Sequence, residues 1–206
     1  MLIENIFFQN CVCLIKMFET FSIILLIQTM IQFNSQEKII FDDEFNEPLH
    51  IDLPQSLKTI KFGDSYNQPL PENLPENIEL IVFGRKYNQP LPKNLPQSLK
   101  TIKFDVGSKF NYSLPKNLPH SIQHIYFGER SEFNKPLPKK LPKSLETIAL
   151  GKIYDKELPK NLPKSLKEIR LSNRPNLEKI LGRKYKIVGK HLWKDEKNLE
   201  IEMKMY

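Results

Sequence analysis

The stretch YNQPLPKNLPQSLKTIKF (residues 87–104) carries the reading of the whole chain. Its end, LKTIKF, places apolar side chains at Leu99, Ile102 and Phe104. The final I-x-F alternates with period two, the pattern of a strand with one buried face. The front half holds Pro90, Pro92 and Pro96. Proline fixes φ and pushes the preceding residue out of the helical region, so this half is an extended, turning return path.

The same pattern recurs on both sides, at 45–62, 66–83, 110–127, 133–150 and 154–171. The six unit starts are separated by 21, 21, 23, 23 and 21 residues, the extra residues falling in the joining loops, at 105–109 and 129–132. A strand of three or four residues cannot bury its apolar face alone. Stacking unit on unit gives a parallel sheet and a continuous core, the logic of a solenoid. The expected architecture is therefore mainly β: a right-handed, leucine-rich-repeat-like solenoid with short parallel strands and Pro-rich extended return segments. Six coils at strand spacing give a length of roughly 30 Å.

Each unit begins with an aromatic residue (Phe45, Tyr66, Tyr87, Phe110, Phe133, Tyr154), expected to stack as a core column with the leucines of the PLP and LP steps. Asn46, Asn67, Asn88, Asn111 and Asn134 follow it and suit a ladder of amides between coils, with Asp155 breaking the series. Ser56, Ser98, Ser121, Ser144 and Ser165 read as turn hydroxyls bonded to local backbone.

The repeated FN-x-PLP-x-NLP-x-SL-x-x-I-x-F resembles the FNIP repeat family, a relative of the leucine-rich repeats found in social amoebae and in giant viruses that infect amoebae. The resemblance covers residues 45–171 and implies protein interaction. It transfers no catalytic residue, because the motif contains none. Family members often carry an F-box-like or kinase module ahead of the repeats.

Three regions follow: an apolar segment 1–36, a repeat array 37–171 that starts with a cap strand at Ile39 and Phe41, and a C-terminal cap 172–206. In the first, FSIILLIQTMI (21–31) is too short for a membrane-spanning helix, which needs about 20 residues. It reads as a small helical segment, a degenerate F-box-type module against the first coil, or as a signal peptide, or as an unstable leader. Glu4 and Glu19 ahead of the apolar run, and the lack of a small-x-small cleavage site, weigh against the signal peptide. In the last region, YKIV (185–188) and LEIEMKM (199–205) suggest capping strands.

Composition narrows the function. There are 16 prolines against 7 glycines, which disfavours long helices and Gly-rich phosphate loops. The two cysteines, Cys11 and Cys13, form no disulfide framework, so an intracellular setting, host cytoplasm in a virus, is favoured over secretion. His120 and His124 lack a third ligand, and no hydrolase, kinase, nucleotide or dinucleotide fingerprint is present, so neither enzyme activity nor a cofactor is expected.

The formal charge is +7, unevenly spread: residues 37–79 hold 3 basic and 10 acidic side chains, residues 85–170 hold 18 and 7. Two surfaces are candidates for binding by a monomeric array. On each strand the residues flanking the buried isoleucine point to the opposite, concave side, and they vary from unit to unit. There Leu80, Val82, His124 and Tyr126 are apolar or aromatic anchors framed by Lys61, Lys103 and Arg170, a face for an unknown protein partner. The second is a ridge of Lys93, Lys116, Lys139 and Lys160, able to meet nucleic acid or other anionic assemblies. Aromatic platforms interleaved with that ridge are missing, and Glu72 interrupts it.

Overall fold

A computed structural model describes residues 36–49, 53–171, 177–181, 185–188, 191–194 and 197–205. Of the apolar N-terminal segment, residues 1–35 lie outside the described residues. Seven short strands run parallel: β1 Lys38–Ile40, β2 Thr59–Lys61, β3 Leu80–Phe83, β4 Thr101–Phe104, β5 His124–Phe127, β6 Thr147–Leu150 and β7 Glu168–Leu171. Each pairs with the next in register, so Ile39, Ile60, Ile81, Ile102, Ile125, Ile148 and Ile169 form one row. All seven isoleucines are buried. A one-residue slip would turn this row to the outside, so the register is strongly specified.

A five-residue helix, α1 (Leu177–Leu181), follows β7, and then come β8 Tyr185–Val188, β9 His191–Lys194 and β10 Lys197–Met205. The last strand in sequence lies beside β7, parallel to it, and the sheet order ends β7-β10-β9-β8 with the final pairs antiparallel. Helix α1 and strand β9 are additions to the one or two capping strands read from YKIV and LEIEMKM.

The core is a double spine of rings. Phe41, Phe62, Phe83, Phe104 and Phe127 stack at 5.0–5.6 Å, and Leu150 and Leu171 continue their positions. Phe45, Tyr66, Tyr87, Phe110, Phe133 and Tyr154 form the second column at 5.9–6.1 Å. Across each joining loop, from the end of one unit to the start of the next, the two columns touch more closely, as in Phe104–Phe110 at 4.2 Å and Phe127–Phe133 at 3.8 Å. Such offset rings contribute about 0.5–1.5 kcal/mol per pair beyond their buried area.

The return path has a repeated polar logic. In every unit the proline before x-Ser/Asn-Leu/Ile closes a tight turn: its carbonyl accepts from the backbone N–H three residues on, as in Leu99 to Pro96 at 3.1 Å. The serine hydroxyls do not bond locally, as their turn position suggested. They donate to the preceding coil: Ser56 to the Gln36 carbonyl (2.8 Å), Ser121 to Leu99 (2.7 Å), Ser165 to Leu145 (2.7 Å). The turn aims each hydroxyl along the solenoid axis, where a carbonyl needs a partner.

The asparagine ladder is built from side-chain acceptors and backbone donors. The Asn67, Asn88, Asn111, Asn134 and Asp155 N–H groups donate at 2.8–3.0 Å to Oδ1 of the asparagine one coil earlier. Asp155 therefore keeps its place in the ladder through its backbone. Its carboxylate meets Lys156 (2.7 Å) and Lys179 of α1 (2.6 Å), which hold its pKa far below the usual range. An aspartate at the end of the series thus links the array to α1.

Candidate functional site

The strand residues that do not enter the core form one continuous outward face. Register places Lys61, Val82, Lys103, Tyr126, Ala149 and Arg170 in one row. The parallel row is Thr59, Leu80, Thr101, His124, Thr147 and Glu168. The seven residues read from the sequence as partner-contacting all lie on this face. Lys61 and Lys103 are exposed, while Leu80, Val82, His124, Tyr126 and Arg170 are half-buried by their neighbours.

The face is most structured over β5–β7. The His124 and Tyr126 rings stack at 5.9 Å, and the Arg170 guanidinium lies 5.8 Å from the centre of the Tyr126 ring, within cation–π range. Arg170 also bonds Glu168 at 2.9 Å, so the one carboxylate among the outward strand residues of β1–β7 is already paired. Lys61 and Lys103 make no ion pair with another described residue.

A hollow of about 410 Å³ opens on this face at the C-terminal ends of β4–β7. Lys103, Val106, Tyr126, Ala149 and Arg170 line it, with Asp105 and Glu129 on the loop side. Of the lining residues that sequence did not single out, Ala149 and Val106 shape the hollow. Ala149 makes the hollow by being small between Tyr126 and Arg170. Val106, 54% exposed, forms the lip because the loop 105–109 is longer than its counterparts at 63–65 and 84–86. The signal for both was an alanine in an otherwise bulky column and an insertion one strand away.

The basic ridge lies elsewhere. Lys93, Lys116, Lys139 and Lys160 are all exposed on the return segments and do not line the hollow. At the strand starts, charges alternate between coils: Lys58 bonds Glu37 (2.7 Å), Lys100 bonds Glu79 (2.9 Å) and Lys167 bonds Glu146 (2.9 Å). The pairing raises the Lys58 pKa and lowers that of Glu146. These pairs are exposed and contribute little to stability, but a shift by one coil would set like charges together.

His120 sits in the turn before β5, and His124 points from the strand itself. Among the described residues no group of three or more His, Cys, Asp and Glu side chains is placed to hold a metal ion. No described helix is long and apolar enough to cross a membrane.

Comparison with known proteins agrees with this geometry. No curated protein matches the chain. A solved structure, that of CroV588, titled a novel circular LRR protein structure, superimposes with a TM-score of 0.56 over 64% of this chain at 32% identity. The match covers 20% of that protein, so this chain spans about a fifth of its length. The family model described as FNIP Repeat matches residues 34–65, 45–86, 66–107, 87–130 and 133–174. With coil after coil matched across most of its length, the chain belongs to the FNIP-repeat family.

Proposed function

We propose that the chain is a non-catalytic protein-interaction scaffold that binds a protein partner through the outward strand face. One observation carries this reading. The inward row is isoleucine in all seven strands, whereas the outward rows change from lysine to valine, tyrosine, alanine and arginine across the same positions. A fixed core beneath a varied, contiguous face is how solenoids hold specificity. The absence of a disulfide framework fits an intracellular setting.

The test is affinity capture from host-cell lysate with the full chain, at low and high salt, followed by mass spectrometry. The Leu80→Glu, Tyr126→Ala double variant is run in parallel after circular dichroism shows it folded. A saturable protein partner that withstands high salt and disappears with the double variant supports the scaffold reading. Equal capture by both proteins sinks it.

A second reading rests on the four exposed ridge lysines, Lys93, Lys116, Lys139 and Lys160. They would bind nucleic acid or an anionic assembly with affinity that falls steeply as salt rises. Reversal of those four charges to glutamate would then abolish binding while the double variant on the strand face would not.

A further inference from the structure

The hollow over Ala149 has a definable occupant. It sits between two cations of one row, Lys103 on β4 and Arg170 on β7. Between them the row is Tyr126 and Ala149, an aromatic wall and an apolar floor. Strands at about 4.8 Å spacing put Lys103 and Arg170 roughly 14 Å apart, which is the span of four extended residues at about 3.4 Å each. Residues i, i+2 and i+4 of an extended chain point to the same side.

We propose that this part of the face binds an extended acidic peptide of a partner protein, with carboxylates at i and i+4 meeting Lys103 and Arg170 and a large apolar side chain at i+2 filling the hollow over Ala149. The inference rests on the strand face being the binding face and names the chemistry it selects. Charge complementarity supports it. The outward residues of β1–β7 include four cations, Lys38, Lys61, Lys103 and Arg170, against one carboxylate, Glu168; Arg170 already bonds Glu168, so the peptide carboxylate at i+4 shares that guanidinium with it, and Lys103 is the cation of the hollow with no ion pair among the described residues. The loop side is less favourable to an anion, because Asp105 stands there, while Glu129 is neutralised by Lys152 at 2.7 Å. The peptide therefore crosses on the strand side, along the row. The hollow is open to solvent, so it suits a side chain laid in from a peptide rather than an enclosed small molecule, and an aromatic anchor ringed by polar contacts is the usual source of most binding energy at an interface.

The test is selection of a displayed library of random linear peptides on the full chain, with counter-selection on two variants. Ala149→Trp fills the hollow, and Lys103→Glu reverses an exposed charge that no core contact depends on. The expected pool is enriched in acidic-x-aromatic-x-acidic peptides, whose affinity by fluorescence polarisation falls about tenfold or more with either variant. Enriched peptides without paired acids that still lose binding with Ala149→Trp would overturn the acidic chemistry while leaving the strand face as the binding site. Acidic peptides that bind both variants as tightly as the unaltered chain would overturn the placement and the strand-face reading together. A pool with no motif, alongside salt-sensitive binding of a single-stranded oligonucleotide lost on reversal of the ridge lysines, would replace a peptide ligand with nucleic acid.

Discussion

Replacing Gly84 by alanine tests how tightly the coils are stacked. Gly84 follows β3, where the chain leaves the sheet, and a Cβ built there lies 2.2 Å from the Gly63 carbonyl oxygen and 2.7 Å from the Asp64 Cα. Both contacts are backbone, so no side chain can swing away. An ordinary carbon–oxygen contact needs about 1 Å more, against a coil spacing of about 4.8 Å held by the ladder and the ring stacks. Opening the coils that far would loosen Phe62–Phe83 stacking, now at 5.6 Å, and the hydrogen bond from Phe62 N–H to the Val82 carbonyl at 2.9 Å. The expected loss is about 3 kcal/mol, the upper part of the range for overpacking. Gly107→Ala is the control: nothing lies within 4 Å of its Cβ, but its φ is +77°, so its cost is confined to the left-handed backbone, about 1 kcal/mol. Chemical denaturation with far-ultraviolet circular dichroism measures both. If Gly84→Ala is as stable as the unaltered protein, or Gly107→Ala is the more damaging, the close stacking described here is incorrect.

Three further outcomes follow from the same packing. Tyr66 and Tyr87 are fully buried with hydroxyls that have no hydrogen-bond partner among the described residues, and burial pushes both pKa values well above the usual tyrosine range. Tyr66→Phe should therefore leave stability unchanged or raise it by about 1 kcal/mol in denaturant titration, and a loss of that size would mean the hydroxyl is satisfied. Ser98→Ala removes a hydroxyl whose single proton is shared between the carbonyls of Glu76 and Ile78 in the preceding coil, so it should cost about 1 kcal/mol by the same titration. Asp155→Asn removes a carboxylate whose pKa Lys156 and Lys179 hold down. The stabilisation it loses is full above the ordinary aspartate value of 3.8 and fades as pH falls below it. Thermal melts should place the variant below the unaltered protein at neutral pH and level with it in strong acid; a gap independent of pH would contradict the ion-pair account.

The array was legible in the sequence because a solenoid repeats one local rule. Ile102 and Phe104 announce a buried strand face by alternation, and six copies of the rule fix which coil lies on which. The outward positions were legible for the same reason, since a residue between two buried ones must face away. The stacking, the aromatic column and the amide ladder between coils were legible too; what escaped was the detail of particular side chains across coils. Ser98 reads as a turn residue, and only the stacking shows that its hydroxyl reaches the coil before it. Ala149 looks unremarkable until register sets it between Tyr126 and Arg170. Val106 becomes a lip only when the longer loop is folded beside β5. Beyond Leu171 the rule stops, and alternation in YKIV and LEIEMKM marks strands without saying that β10 lies next to β7 and β8 at the edge. Pairing order among irregular strands is set by long-range contacts that no local pattern encodes.

The proposal that specificity resides on the strand face is tested most directly by photo-crosslinking in cell lysate. A photo-reactive amino acid is placed on the face at Val82, and in a second protein on the ridge at Lys139. The account predicts a defined protein adduct from position 82, competed away by unlabelled full chain, and none from position 139. An adduct from position 139 alone, or the same set of proteins from both, would contradict it.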